Sequence, residues 1–185
     1  MAIPPVPDPG ELTDGVVVVR RYRLDDVAAA VAATRDAHII RWTRVPTEPD
    51  EEQFRAFLDQ HDQWFEQGAE APLAVVEAET GRLVGSNGFV QFSWDRGVGE
   101  IGYWGAAAYR RRGYVTRACR LVAAWGFEAL ELTRVELRIH PDNAPSHRVA
   151  EALGATREGL LRNGARDRDR DPFDTIVYSL VPTDL

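Results

Sequence analysis

The chain has 185 residues and carries 29 Asp and Glu against 22 Lys and Arg, a formal net charge of -7. That length suits one domain, and a hydrophobic fraction of 44% excludes wholesale disorder. No apolar run approaches the ~18 residues that span a bilayer, Met1-Ala2-Ile3-Pro4-Pro5 lacks the start of a signal peptide, and the lone Cys119 cannot pair internally, so a cytoplasmic protein without a membrane partner is expected.

Residues 1–14 are Pro-rich and polar, and are expected to form a flexible arm ahead of a single domain over 15–185. Val16-Val17-Val18-Val19 predicts a first strand. Asp25 or Asp26 caps a helix to about Arg35. Thr47-Glu48-Pro49-Asp50 resembles a second helix start, with Thr as the cap and Pro in the first turn. Phe54, Phe57, Leu58, His61, Trp64 and Phe65 then form an amphipathic stripe that stops at Gly68. Leu73–Val76, Leu83–Phe92 and Val98–Trp104, separated by turn residues, predict an antiparallel meander. A basic loop follows, and Gly113 opens a long helix to about Leu130. Arg134–Ile139 predicts a strand with Val135, Leu137 and Ile139 on one face and Glu136 and Arg138 on the other. Asn143 starts a short helix that ends at Gly154. Thr156–Arg162 and Thr175–Leu180 predict a last strand pair around a charged loop, 163–171. This order predicts a mixed α+β sheet with helices on both faces.

The chemistry concentrates where a strand, Gly102-Tyr103-Trp104, runs through Gly105 and a loop into a helix start, Arg110-Arg111-Arg112-Gly113-Tyr114-Val115-Thr116. The first amides of a helix lack internal partners and sit at the positive end of its dipole. Gly113 permits close backbone approach, and three Arg frame the spot, as in a diphosphate cradle. The same residues also fit a solvent-exposed basic helix start. Because the chain has no Lys, an Arg cluster is weak evidence for nucleic acid, and the acidic total argues against a polyanion partner.

Arg110-x-x-Gly113-x-Val115, with Glu100-Ile101-Gly102-Tyr103-Trp104 before it and Asn143-Ala144-Pro145-Ser146 … Leu153-Gly154-Ala155 after it, resembles the GNAT superfamily of acyl-CoA N-acyltransferases over roughly residues 16–181. Within it the chain looks closest to the Rim-like branch. The resemblance implies a mostly antiparallel sheet of about seven strands with one splayed parallel pair. It implies an acetyl-CoA co-substrate, no metal, and direct acetyl transfer to a primary amine, either a protein N-terminus or a small molecule; a homodimer is compatible with it. Val115 replaces a small residue of the family pattern, Ala155 a Phe, and Ala150 a Tyr that many members use as general acid. That last departure keeps open a rival, a non-catalytic acyl-CoA-binding regulatory module.

The expected cofactor contacts are Tyr103, Trp104, Gly105, Arg110, Arg111, Arg112, Gly113, Tyr114, Val115, Thr116, Asn143 and Ser146. The strand backbones at Gly102–Gly105 and Glu136–His140 would hold an extended arm as an added strand would. Glu100 is the candidate base that takes the amine proton, or alternatively a strand-end partner for an Arg. Ser146 is the candidate donor to the leaving thiolate, or a first-turn helix residue satisfying an amide. Asn143 is an N-cap that can also contact the cofactor. His38, His61, His140 and His147 show no metal-type spacing. Residues 47–80 hold ten acids and only Arg55 as a base, so this stretch is either an acidic rim favouring a cationic acceptor or a solvated helix face.

Overall fold

The computed structural model describes residues 3–185. Its strands are β1 (Glu11–Thr13), β2 (Val17–Arg20), β3 (Ala71–Glu77), β4 (Leu83–Ser93), β5 (Val98–Gly105), β6 (Arg134–Ile139), β7 (Thr156–Arg166) and β8 (Pro172–Leu180). Its helices are α1 (Val27–Thr34), α2 (Ala37–Trp42), α3 (Glu51–Glu66), α4 (Tyr114–Ala129) and α5 (Ala144–Leu153). The eight strands form one sheet in the order β1-β2-β3-β4-β5-β6-β8-β7. Every neighbouring pair is antiparallel except β5 and β6.

Side-chain alternation along the strands divides the core. Leu73 and Val75 of β3 join Val122 of α4 and Leu153 of α5 in the larger cluster. Ala74 and Val76, their neighbours on the same strand, face Ala30 of α1, with Phe54 of α3 packed alongside. Helices therefore cover both faces of the sheet. Phe89 is wholly buried between Phe92 and Trp125, with ring centroids 5.0 and 5.9 Å away.

Four features depart from the sequence reading. The last strand pair is longer than expected, since β7 runs to Arg166 and β8 starts at Pro172, so the charged loop expected over 163–171 shrinks to 167–171. The eighth strand, β1, comes from the segment expected to be an arm: Glu11–Thr13 pairs with β2, and Val6 is buried with its N–H donating to the Phe65 carbonyl at 2.7 Å. Gly68 has φ +62°, and a Cβ there would stand 2.2 Å from the Pro4 carbonyl oxygen, so a glycine lets the segment dock over the end of α3. The second expected helix starts not at a Thr47 cap but at Glu51. Pro49 disfavours helical backbone at the residue before it, and the Asp50 carboxylate caps instead, accepting from the Gln53 N–H at 2.8 Å. Helix α2 was not anticipated: it is six residues long, too short for periodicity to show, and starts where Asp36 accepts from the His38 and Ile39 amides.

Candidate active site

β5 and β6 run parallel in register for only three pairs, Val98–Arg134, Gly99–Val135 and Glu100–Glu136. Both strands continue beyond, β5 to Gly105 and β6 to Ile139. On its other side β5 stays paired with β4 as far as Gly105. The β6-facing edge of Ile101–Gly105 therefore presents unpaired backbone groups to a widening gap, the arrangement an extended amide-bearing ligand can join as a strand.

At the end of β5 the chain turns through Ala106–Gly113 into α4. Arg111 and Gly113 both have left-handed backbone, φ +63° and +78°. Among the described residues no side chain caps the helix, and the Arg117 N–H donates to the Gly113 carbonyl at 3.0 Å at this end. A Cβ at Gly113 would meet no described atom within 4 Å, so there is room beside the start of α4, whose first amides have no intrahelical partner. This is the uncapped, positively polarised terminus that accepts an anion.

The flanking side chains divide into those already engaged and those free. Arg110 is engaged: its guanidinium contacts the Asp36 carboxylate at 2.6 Å and the Gly105 carbonyl at 3.2 Å, tying the loop to the start of α2. That contact is the main cause holding the Asp36 carboxyl below its usual range. Arg112 lies over the Tyr109 ring at 5.6 Å; neither it nor Arg111 forms an ion pair among the described residues. Tyr114 turns away and donates to Glu77 of β3. Val115 packs at Gly105, where a Cβ would come within 3.0 Å of it, so the absent side chain at 105 accommodates the larger residue at 115. Thr116 lines an open groove with Asp14, Gly113, Arg117, Arg120 and Ala152, between α4 and α5. Trp104 packs on the α1 and α3 side, which leaves its backbone as the part that borders the gap.

On the α4 face, Tyr103 reaches across to α5 and donates to the Ser146 carbonyl at 3.3 Å. Burial pushes its hydroxyl pKa far up, so it stays neutral. Asn143 caps α5 by accepting from the Ser146 N–H at 3.4 Å, which leaves its NH2 free. The Ser146 hydroxyl makes no hydrogen bond to another described residue. Beside them lies a pair that the sequence did not single out. His147 faces the His140 and Pro141 carbonyls with Nε2, at 3.2 and 3.1 Å, and those oxygens only accept. Its Nδ1 therefore accepts from the buried Tyr178 hydroxyl at 3.1 Å. Cys119 is wholly buried, its thiol pushed up to about 12 by that burial, which removes it as a nucleophile.

Glu100 points to the opposite face of the sheet. Burial raises its carboxyl above the usual range; Arg138 and then Arg44 pull it back, and Glu136 adds to the rise. Arg138 Nε is 3.5 Å from Glu100 Oε2. Glu100 is thus both a desolvated carboxylate suited to a base and a partner of an Arg, the two roles the sequence left open. Arg44 was not among the expected site residues, and Glu136 and Arg138 were expected only through their backbone. Alternation put Glu136 and Arg138 on one face, but only the strand register brings them beside Glu100.

The β7–β8 connection is tied to the end of α2 and the segment after it. Arg168 donates to the carbonyls of Ile40, Thr43 and Val45 at 2.7, 2.9 and 2.5 Å. Trp42, His140 and Phe173 pack in series as tilted rings, with centroids 5.0 Å apart at each step.

A sheet opened at one parallel pair, with an uncapped helix where its central strand ends, is the architecture that the resemblance to acyl-group transferases implied, and the family comparison agrees. Residues 17–156 match the acetyltransferase (GNAT) domain family. The chain belongs to the GNAT family and is an acyl-CoA-dependent N-acetyltransferase. It is 24% identical to the uncharacterized N-acetyltransferase p20 of Bacillus licheniformis over 165 residues, 89% of this chain and 92% of that one. Its fold matches RimJ of Mycobacterium smegmatis in complex with CoA-disulfide, with a TM-score of 0.80 and 24% identity over 95% of this chain and 88% of that one. The microcin C7 self-immunity acetyltransferase MccE, in complex with acetyl-CoA and AMP, matches with a TM-score of 0.80 and 19% identity over 92% and 94%.

Proposed function

We propose that the chain moves an acetyl group from acetyl-CoA to a primary amine in one step, with the thioester entering from the α4 face and the amine from the Glu100 face. The observation that carries this reading is the gap between β5 and β6, which begins just past Glu100 and lies beside the uncapped start of α4. In this reading the diphosphate rests on the amides of Tyr114, Val115 and Thr116, with Arg111 and Arg112 as counter-charges. The pantetheine arm pairs with the free edge of β5, and the Asn143 NH2 donates to one of its amides.

The reaction needs an uncharged amine, because an ammonium has no lone pair. The amine proton passes to Glu100, directly or through a water, as the C–N bond forms. The C–S bond breaks, and the thiolate takes a proton from the Ser146 hydroxyl as that oxygen regains one from a solvent water; the proton held by Glu100 returns to solvent and closes the cycle. Desolvation suits Glu100 to the first role by raising its affinity for a proton. The acceptor class is a protein N-terminal amine or a small amine.

The test is thiol release from acetyl-CoA across a panel of peptide α-amines and small amines, followed by mass spectrometry of the products. Acetylation of at least one amine above the hydrolysis background is expected, and its loss in Glu100→Gln. Tight CoA binding with no turnover on any amine would overturn the reading in favour of a binding module.

A further inference from the structure

We propose that Glu136 and Arg138 on β6 are positioning residues that set the proton affinity of Glu100, because Glu136 holds Arg138 back from a full ion pair with it. This rests on the assignment of Glu100 as the base.

Glu100 and Glu136 face each other as the last registered pair before β5 and β6 part. Arg138, two residues on and therefore on the same face, gives its hydrogen bonds to Glu136, from Nε at 3.1 Å and Nη2 at 3.0 Å, both to Oε2. To Glu100 it offers only the 3.5 Å approach. Glu136 is anchored in turn. Its other oxygen accepts from Arg134 Nε at 2.8 Å, and Arg134 is held by both Glu158 oxygens at 2.6 Å. Glu158 also accepts from Ser179 of β8 at 2.7 Å. The cation beside Glu100 is thus fixed by a second carboxylate whose own position is fixed from β6, β7 and β8.

The charged groups that act on Glu100 are Arg138 and Glu136 from β6 and Arg44 from the segment between α2 and α3. β4 presents only the uncharged Gln91 at that register. A carboxylate in a complete bidentate pair holds its charge but has little affinity for a proton. One with no cation, buried as this one is, stays protonated. A shared Arg leaves Glu100 between these limits, where a general base works best. Removing Arg138 must raise the proton affinity of Glu100. Removing the Glu136 charge must lower it twice over, by freeing Arg138 to close on Glu100 and by deleting a repulsive neighbour.

Carboxyl 13C NMR titration of the full-length protein, labelled at Glu, measures this directly; Glu100 is assigned by the signal that Glu100→Gln loses. Arg138→Gln is expected to move the Glu100 midpoint up by about one unit. Glu136→Gln is expected to move it down, and Arg138→Lys to return it towards the wild-type value. No shift in Arg138→Gln, or shifts of one sign in Arg138→Gln and Glu136→Gln, overturns the proposal. Should Glu136→Gln not fold, the two variants at the partly exposed Arg138 decide the matter. Turnover against pH in the same proteins tests the base separately. If the midpoints move as stated while the acidic limb of kcat does not, the ion-pair balance stands and the base assignment falls.

Discussion

Ser146 has two jobs in two different groups. Its amide is tied to the Asn143 cap, while its hydroxyl has no hydrogen-bond partner among the described residues. Removing only the hydroxyl separates them. Ser146→Ala is expected to lower kcat by about 100-fold, the low end for loss of a proton donor, with little change in the acetyl-CoA KM or in thermal midpoint. An unchanged kcat would place the proton source elsewhere, with Tyr103, which reaches the Ser146 carbonyl, and Tyr178, the partner of His147, the other hydroxyls on this face. Ser146 was legible through the Asn143-Ala144-Pro145-Ser146 segment of the resemblance, and Glu100 through its place on the strand ahead of the helix-start motif. The environment of each was not legible. That Arg110 is engaged by Asp36, or that Arg138 divides its contacts between two acids, depends on contacts between residues 74 apart and across strand register.

At the scale of elements, most of the fold could be read because strong local signals agree with the tertiary result. Gly113 and Gly154 bound helices, Asn143 caps one, and Val135, Leu137 and Ile139 of β6 are buried in the larger cluster as the alternation predicts, although Glu136 on the other face is buried too. The misplaced start of α3 shows what local rules miss. Thr47 and Asp50 are both good caps, and what decides between them is Pro49, which keeps the preceding residue out of the helix. Asp50→Ala should therefore cost about 1 kcal/mol of stability in urea unfolding, whereas Thr47→Ala should cost little. The reverse order would restore the earlier start. The docking of residues 3–13 was equally hidden, because a Pro-rich stretch carries no periodicity. Its stability comes from Val6, the β1–β2 ladder and the space that Gly68 leaves.

For the molecule as a whole, the charge network on β6, β7 and β8 ties stability to pH. The Arg134 guanidinium, with the Ser179 hydroxyl, holds the Glu158 carboxyl down at about 2. Burial alone would raise Glu136, but Arg134 and Arg138 outweigh it and hold it low as well. A carboxyl depressed in the folded state stabilises above its unfolded value of 4.5, and that contribution is lost as pH falls towards 2. Glu100 and Glu70, raised by burial, act in the opposite sense and regain stability on protonation. The depressed groups are expected to dominate, so the urea midpoint should fall between pH 5 and pH 3, and Arg134→Gln should flatten that fall. An equal slope in the variant would remove the network from the pH dependence.

The whole account depends on a negatively charged ligand seated at the first amides of α4. Calorimetric titration of acetyl-CoA into the wild type and Gly113→Asp tests this most directly, since Asp tolerates left-handed backbone and there is room for its side chain. A carboxylate there should repel the ligand's diphosphate and weaken binding by roughly tenfold or more, with the fold intact by circular dichroism. Equal affinity in the two proteins would contradict the account.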